Sequence, residues 1–228
     1  MLKELKELLV SKRASSEVVQ WFGSRSLEQA WKECDRADLM LELLGLMAGT
    51  PGWPTLEQVV LMACDCAGTA QKFVPDGEHR PKQAIRDARR WANGEDISLE
   101  QLRAAANAAA DAADEAYAAY SAVYCADSVY ATDVAAYRYL DTAYGAADAA
   151  YASHAAAYTA VDPTYASHAA AYAASADPYA YRYKKFRLRE LADLIRPRFT
   201  PVSEHLRKGD TCPASGEKRY EQDGCNLL

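Results

Sequence analysis

Leucine and charge alternate through the opening MLKELKELLVSK, and a short apolar run at 39–47 is interrupted by Glu42. Apolar residues cluster again at Val59, Val60, Leu61 and Met62, and then at Ala84, Ile85, Ala88 and Trp91. No segment sustains the period-two alternation of β-branched residues that a half-buried strand requires. Capping signals bound the helical stretches. Ser26-Leu-Glu-Gln29, Thr55-Leu-Glu-Gln58 and Ser98-Leu-Glu-Gln101 each offer a hydroxyl to the amide three residues on and a glutamine that can reach back. Thr50-Pro51-Gly52 and Pro54 end one helix before Thr55, Pro81 suits a first helical turn, and Gly94 suits a helix end. The pattern predicts an all-α fold, a multi-helix bundle with stacked alanine- and tyrosine-rich helices.

The second half changes character: 34 of the 80 residues from 101 to 180 are alanine. Tyrosine recurs every seven residues at Tyr130, Tyr137, Tyr144, Tyr151, Tyr158, Tyr165, Tyr172 and Tyr179, with Tyr117 and Tyr124 preceding after a six-residue step. A heptad period keeps the rings near one helix stripe, drifting about 20° per repeat on a straight helix. Within it, Tyr151-Ala-Ser-His-Ala-Ala-Ala-Tyr158 returns as Tyr165-Ala-Ser-His-Ala-Ala-Ala-Tyr172, so one helical unit is used twice. Asp162-Pro163 and Asp177-Pro178 follow the two copies and predict a helix restart at each. A single rod over 99–161 would extend about 95 Å, against a radius of gyration of roughly 17 Å for a compact chain of this size. The stretch is therefore expected to break and stack, with breaks near Cys125-Ala-Asp-Ser128 and at Gly145.

Three zones follow: a helical region at 1–97 with a conventional core, alanine/tyrosine helices with a basic C-terminal helix at 98–208, and a flexible tail at 209–228. All four tryptophans and all four methionines lie in the first. Residues 101–178 carry nine acidic residues against two basic ones; residues 179–208 carry nine basic against three acidic. One reading docks the basic helix on the acidic repeat, and the other leaves acidic surface free for a basic partner. The net charge of −6 argues against a nucleic-acid binder with one large basic face. Neither a membrane span nor a signal-peptide apolar stretch is present in the pattern, so a cytoplasmic protein without membrane contact is expected. Its six cysteines are then read as reduced thiols.

Candidate chemistry is thin. His154 and His168 occupy equivalent places in the two copies, and duplication explains them without metal ligation. Cys64 and Cys66, two apart on a helix, point about 200° apart and do not share one ion easily. Ser153 and Ser167 neighbour histidines in sequence only, with no orienting third group. Catalytic residues, metal ligands and cofactors are accordingly expected to be none. The tyrosine stripe is either core, filling grooves between alanine-lined helices, or an interface of rigid amphipathic anchors.

Two N-terminal stretches, Ser24-Arg-Ser-Leu-Glu-Gln-Ala-Trp-Lys-Glu-Cys34 with Arg36-Ala-Asp-Leu-Met-Leu-Glu-Leu-Leu-Gly45, and Glu78-His-Arg-Pro-Lys-Gln-Ala-Ile-Arg-Asp-Ala-Arg-Arg-Trp-Ala-Asn-Gly-Glu95, lead into the alanine-rich half. The combination resembles predicted immunity proteins of bacterial polymorphic toxin systems. That resemblance implies a non-enzymatic protein that neutralises a toxin or effector by occluding it. The expected contact residues are Tyr151, Tyr158, Tyr165 and Tyr172, with Asp141 and Asp148. The alternative is a self-assembling helical protein whose tyrosine and alanine faces pack between copies.

Overall fold

The computed structural model describes residues 2–127, 134–177, 180–199 and 201, and the side chains within these spans except at 2–4, 123–127, 134–140 and 180–182. The proposed tail at 209–228, with Cys212 and Cys225, lies outside the described residues, as do Tyr130, Pro178 and Tyr179 and the side chains of Tyr124 and Tyr137. Ten helices and no strand occupy the described residues. They are α1 (Leu2–Ser11), α2 (Ser16–Phe22), α3 (Leu27–Glu33), α4 (Ala37–Met47), α5 (Leu56–Gly68), α6 (Arg80–Ala92), α7 (Leu99–Asp127), α8 (Val134–Tyr158), α9 (Ala166–Ser175) and α10 (Ala180–Ile195). The fold is an all-α multi-helix bundle.

The caps form much as the sequence predicts. Thr55 and Gln58 make both bonds of a capping box, at 3.3 and 2.9 Å, and Ser98 and Gln101 do so at 3.1 and 2.8 Å. Ser26 accepts from the Gln29 amide, but the Gln29 side chain turns to Glu33 instead. Asp162 accepts from the Thr164 amide at 3.0 Å and, with Pro163, opens a short 3-10 turn before α9.

The long repeat is broken and folded back. α7 is described as far as Asp127, and α8 returns antiparallel to it: Ala106 lies opposite His154, Asp114 opposite Tyr151 and Tyr120 opposite Tyr144. The break expected at Gly145 does not occur. α8 runs through it with the glycine buried. An isolated helical glycine costs only about 1 kcal/mol, which packing along α7 outweighs.

One core joins the two compositional zones. The N-terminal helices supply volume, with Phe22, Trp31, Met40, Leu41, Leu43 and Leu44 fully buried. The repeat supplies flat alanine surface, and α9 alone buries Ala166, Ala169, Ala170, Ala173 and Ala174. Small side chains let α9 sit against α4, α5, α8 and α10 together. The closest approach is at Gly45 of α4, where an added Cβ would lie 2.2 Å from the Pro163 carbonyl oxygen.

The basic C-terminal segment closes the other side. Leu188, Leu191, Ala192 and Ile195 are buried, and the Phe199 ring stands edge-on to Trp31 at 6.0 Å and 5.6 Å from Trp53. Arg196 donates to the Cys34 carbonyl at 2.7 Å, and ion pairs join Lys185 to Asp35 and Arg198 to Asp65. Cys34, at the end of α3, is buried in the core, and Cys64 and Cys66 are buried because α5 is covered by α4, α6, α8 and α9. Burial pushes the Cys34 thiol up to about 11 and the Cys64 thiol to about 12, and raises that of Cys66 as well.

Candidate partner-binding surface

The duplicated unit folds into a hairpin whose two copies face each other antiparallel. Tyr151 of the first copy stacks on Tyr172 of the second, with centroids 5.2 Å apart and rings 27° from parallel. Tyr158 meets Tyr165 at 4.6 Å. Exchanging the copies exchanges these two pairs, so the hairpin has approximate two-fold symmetry. The histidines fill the gap between them: His154 lies 5.5 Å from Tyr158 and 6.0 Å from Tyr165, and His168 lies 5.4 Å from Tyr165 and 6.4 Å from Tyr172.

Their surroundings break the symmetry. The His154 Nδ1 lies 3.0 Å from the Ala106 carbonyl, whereas His168 is exposed. Ser153 is fully buried, donating to the Ala149 carbonyl and accepting from the Gln71 amide, both at 2.8 Å; Ser167 bonds only its own turn at Thr164. The histidines and serines that look alike in sequence thus sit in different environments. Among the described residues, no three His, Cys, Asp or Glu side chains converge as a metal site would need.

The aromatic series continues past the hairpin. Tyr117 stacks on Tyr120 at 5.8 Å, and Tyr120 meets Tyr144 edge-on at 5.6 Å. Rings from α7, α8 and α9 thereby form a belt, and its members differ in exposure. Tyr158 and Tyr165 pack against the main core, and Tyr151 is half-buried over Ala112, Ala113 and Ala150. Tyr117, Tyr144 and Tyr172 are 49, 44 and 37% exposed. The stripe is therefore core at one end and solvent-facing at the other. Of the four tyrosines expected as contacts, Tyr172 alone is open, and Tyr117 and Tyr144 join it. A heptad count places rings on a stripe, but it carries no information on which neighbour covers each ring.

The two carboxylates separate in the same way. Asp141 is exposed. Asp148, expected at the surface, is only 6% exposed, and its Oδ2 accepts no hydrogen bond among the described residues. The reason is the length of α9. Running antiparallel to α8, with Tyr165 beside Tyr158 and Tyr172 beside Tyr151, it ends about level with Asp148 and leaves Asp141 uncovered. Burial pushes the Asp148 carboxyl up to about 6, with Lys184 partly offsetting it. The same carboxylate raises Tyr144, whose charge is coupled to Tyr117, Tyr120 and Tyr172 as well. Tyr151 donates its hydroxyl proton to Asp114, a bond that pushes its own ionisation up to about 12. Tyr144 and Tyr151, both raised, stay neutral at any physiological pH.

No helix among the described residues is long and apolar enough to cross a membrane. No family model, curated protein or solved structure matches the chain.

Proposed function

We propose that the chain is a non-enzymatic, cytoplasmic protein that occludes a protein partner, a toxin or effector with a basic surface, through the exposed end of its tyrosine belt. The observation carrying this reading is the open run Tyr117, Tyr144 and Tyr172 beside the buried carboxylate of Asp148, whose Oδ2 accepts no hydrogen bond among the described residues. Tyrosine brings a large, rigid, amphipathic contact at small entropic cost, and it is enriched where interfaces concentrate their energy. The acidic excess over 101–178 favours a basic partner and speeds its encounter. The likeness to immunity proteins at 24–45 and 78–95 agrees with this role.

Affinity capture from cells of the source organism tests it, comparing the native chain with a Tyr144→Ala/Tyr172→Ala variant whose helix content is checked by circular dichroism. A stoichiometric partner should be held by the native chain and lost by the variant. Removing two anchors of this kind costs about 2 kcal/mol or more, roughly thirtyfold in affinity. Undiminished capture by the folded variant would place the contact elsewhere. A second reading, self-assembly, is supported by the hairpin, in which the Tyr151–Tyr172 and Tyr158–Tyr165 pairs pack one copy of the repeated octapeptide against the other within the chain. In that case the bait recovers only itself, and sedimentation velocity finds a concentration-dependent oligomer.

A further inference from the structure

A groove of about 580 Å³ lies between the end of α5 and the outer face of α6, away from the tyrosine belt. Its floor is apolar where Ile85 enters the core, and Gly68 forms the wall across from α6. The Arg89 guanidinium lies over Gly68, where an added Cβ would meet it at an ordinary 3.6 Å. α6 turns Lys82, Arg86, Arg89, Arg90 and Asn93 along this side, all exposed, while Pro81, Ala84, Ile85 and Ala88 face inward.

The charges in this groove do not balance. Asp65, the one carboxylate lining it, is held between Arg89 at 3.0 Å and Arg198. Arg90 pairs with Glu95 at 2.6 Å and with Asp87 at 3.7 Å. Lys82 and Arg86 have no carboxylate partner among the described residues, and Arg86 bonds only the amide oxygen of Gln83. Two uncompensated cations one helical turn apart repel each other by a few tenths of a kcal/mol. Their Cβ atoms lie about 5–6 Å apart on one face of α6, so the two long side chains can converge on one phosphate group or on two joined ones. Guanidinium forks and an ammonium, with the Asn93 amide beyond, match phosphate oxygens by both charge and hydrogen-bond geometry. The volume falls within the range of small-molecule sites, and the apolar floor gives an organic body something to rest on.

We infer that this groove is a binding site for a phosphorylated small molecule, its phosphate groups held by Lys82, Arg86 and Arg89. The inference is independent of the tyrosine belt, and its failure would leave the partner-binding reading intact. The test is a titration of the full chain with pyrophosphate, followed by amide chemical shifts at low and at raised salt. Shifts should concentrate on residues 82–93 and on Gly68 and Thr69, and saturate by about 10 mM. A Lys82→Ala/Arg86→Ala variant, which alters only exposed side chains, should bind at least about tenfold more weakly. Arg25→Ala, a cation on another face, should change nothing. Scattered, unsaturated shifts, or an equal loss with Arg25→Ala, would reduce the groove to an ordinary solvated face and overturn the inference. Binding of an oligonucleotide without any of pyrophosphate would also overturn it, in favour of a nucleic-acid surface.

Discussion

Replacing Gly45 with alanine is expected to destabilise the protein by about 2–3 kcal/mol, although alanine is the better helix former. In the middle of α4 the exchange would ordinarily gain about 1 kcal/mol. Here the new Cβ would stand 2.2 Å from the Pro163 carbonyl oxygen and 3.0 Å from its carbon. Backbone lies on both sides of the clash, so no side chain can swing away. α4 and the turn into α9 must separate, loosening the alanine contacts that hold α9 against α4 and α5. Overpacking of this kind costs about 1–3 kcal/mol, occasionally more. For a chain of this length, that lowers the melting temperature by roughly 5–10 °C. Urea denaturation of Gly45→Ala beside Gly68→Ala is the check, because a Cβ at Gly68 meets only Arg89 at an ordinary 3.6 Å. Equal stability of the two variants would contradict the packing of α4 on the hairpin.

The second large effect has the opposite sign and depends on pH. The Asp148 carboxyl titrates near 6 in the folded chain and near its ordinary value of about 4 in the unfolded one. Between those values the folded state binds more protons, so stability falls as pH rises from about 4 to 6 and stays low above. Two units of displacement correspond to nearly 3 kcal/mol, at about 1.4 kcal/mol per unit. Asp148→Asn cannot ionise and escapes this cost, less what a buried amide loses through imperfect bonding. The variant is expected to be more stable than the native chain by about 2 kcal/mol at pH 8, with the advantage shrinking through pH 6 and gone near pH 4. Paired denaturation curves across that range decide it. An advantage that did not change with pH would mean that the carboxylate is solvated after all. A buried charge that costs stability fits a surface kept for binding, and Asp148→Asn should also weaken partner capture.

Local signals were the legible part of this fold. Thr55 and Ser98 announced helix starts through side chains three residues apart, and Asp162-Pro163 announced the break before α9. The fold-back of α8 onto α7 agrees with the one irregular step in the tyrosine count, from Tyr124 to Tyr130. Gly145 misled because one glycine weakens a helix by less than a whole interhelical face contributes. Asp148 misled because its burial depends on where α9 stops, which is a property of the hairpin and not of α8. The pairing of Tyr151 with Tyr172 needed the antiparallel return, although the duplicated octapeptide was in plain view. The basic stripe of α6 was equally visible as residue types. Its imbalance emerges only once Asp65 is seen between Arg89 and Arg198, more than a hundred residues apart in the chain.

The central claim, that the open end of the tyrosine belt is the contact surface, is tested most directly by tyrosine nitration of the captured complex against the free chain, read by peptide mass spectrometry. In the free chain Tyr117, Tyr144 and Tyr172 should react readily, while Tyr158 and Tyr165, packed on the core, react slowly. Partner binding should protect Tyr144 and Tyr172 and leave Tyr183, exposed on α10, reactive. If Tyr144 and Tyr172 react equally well in the complex, the belt is not the interface.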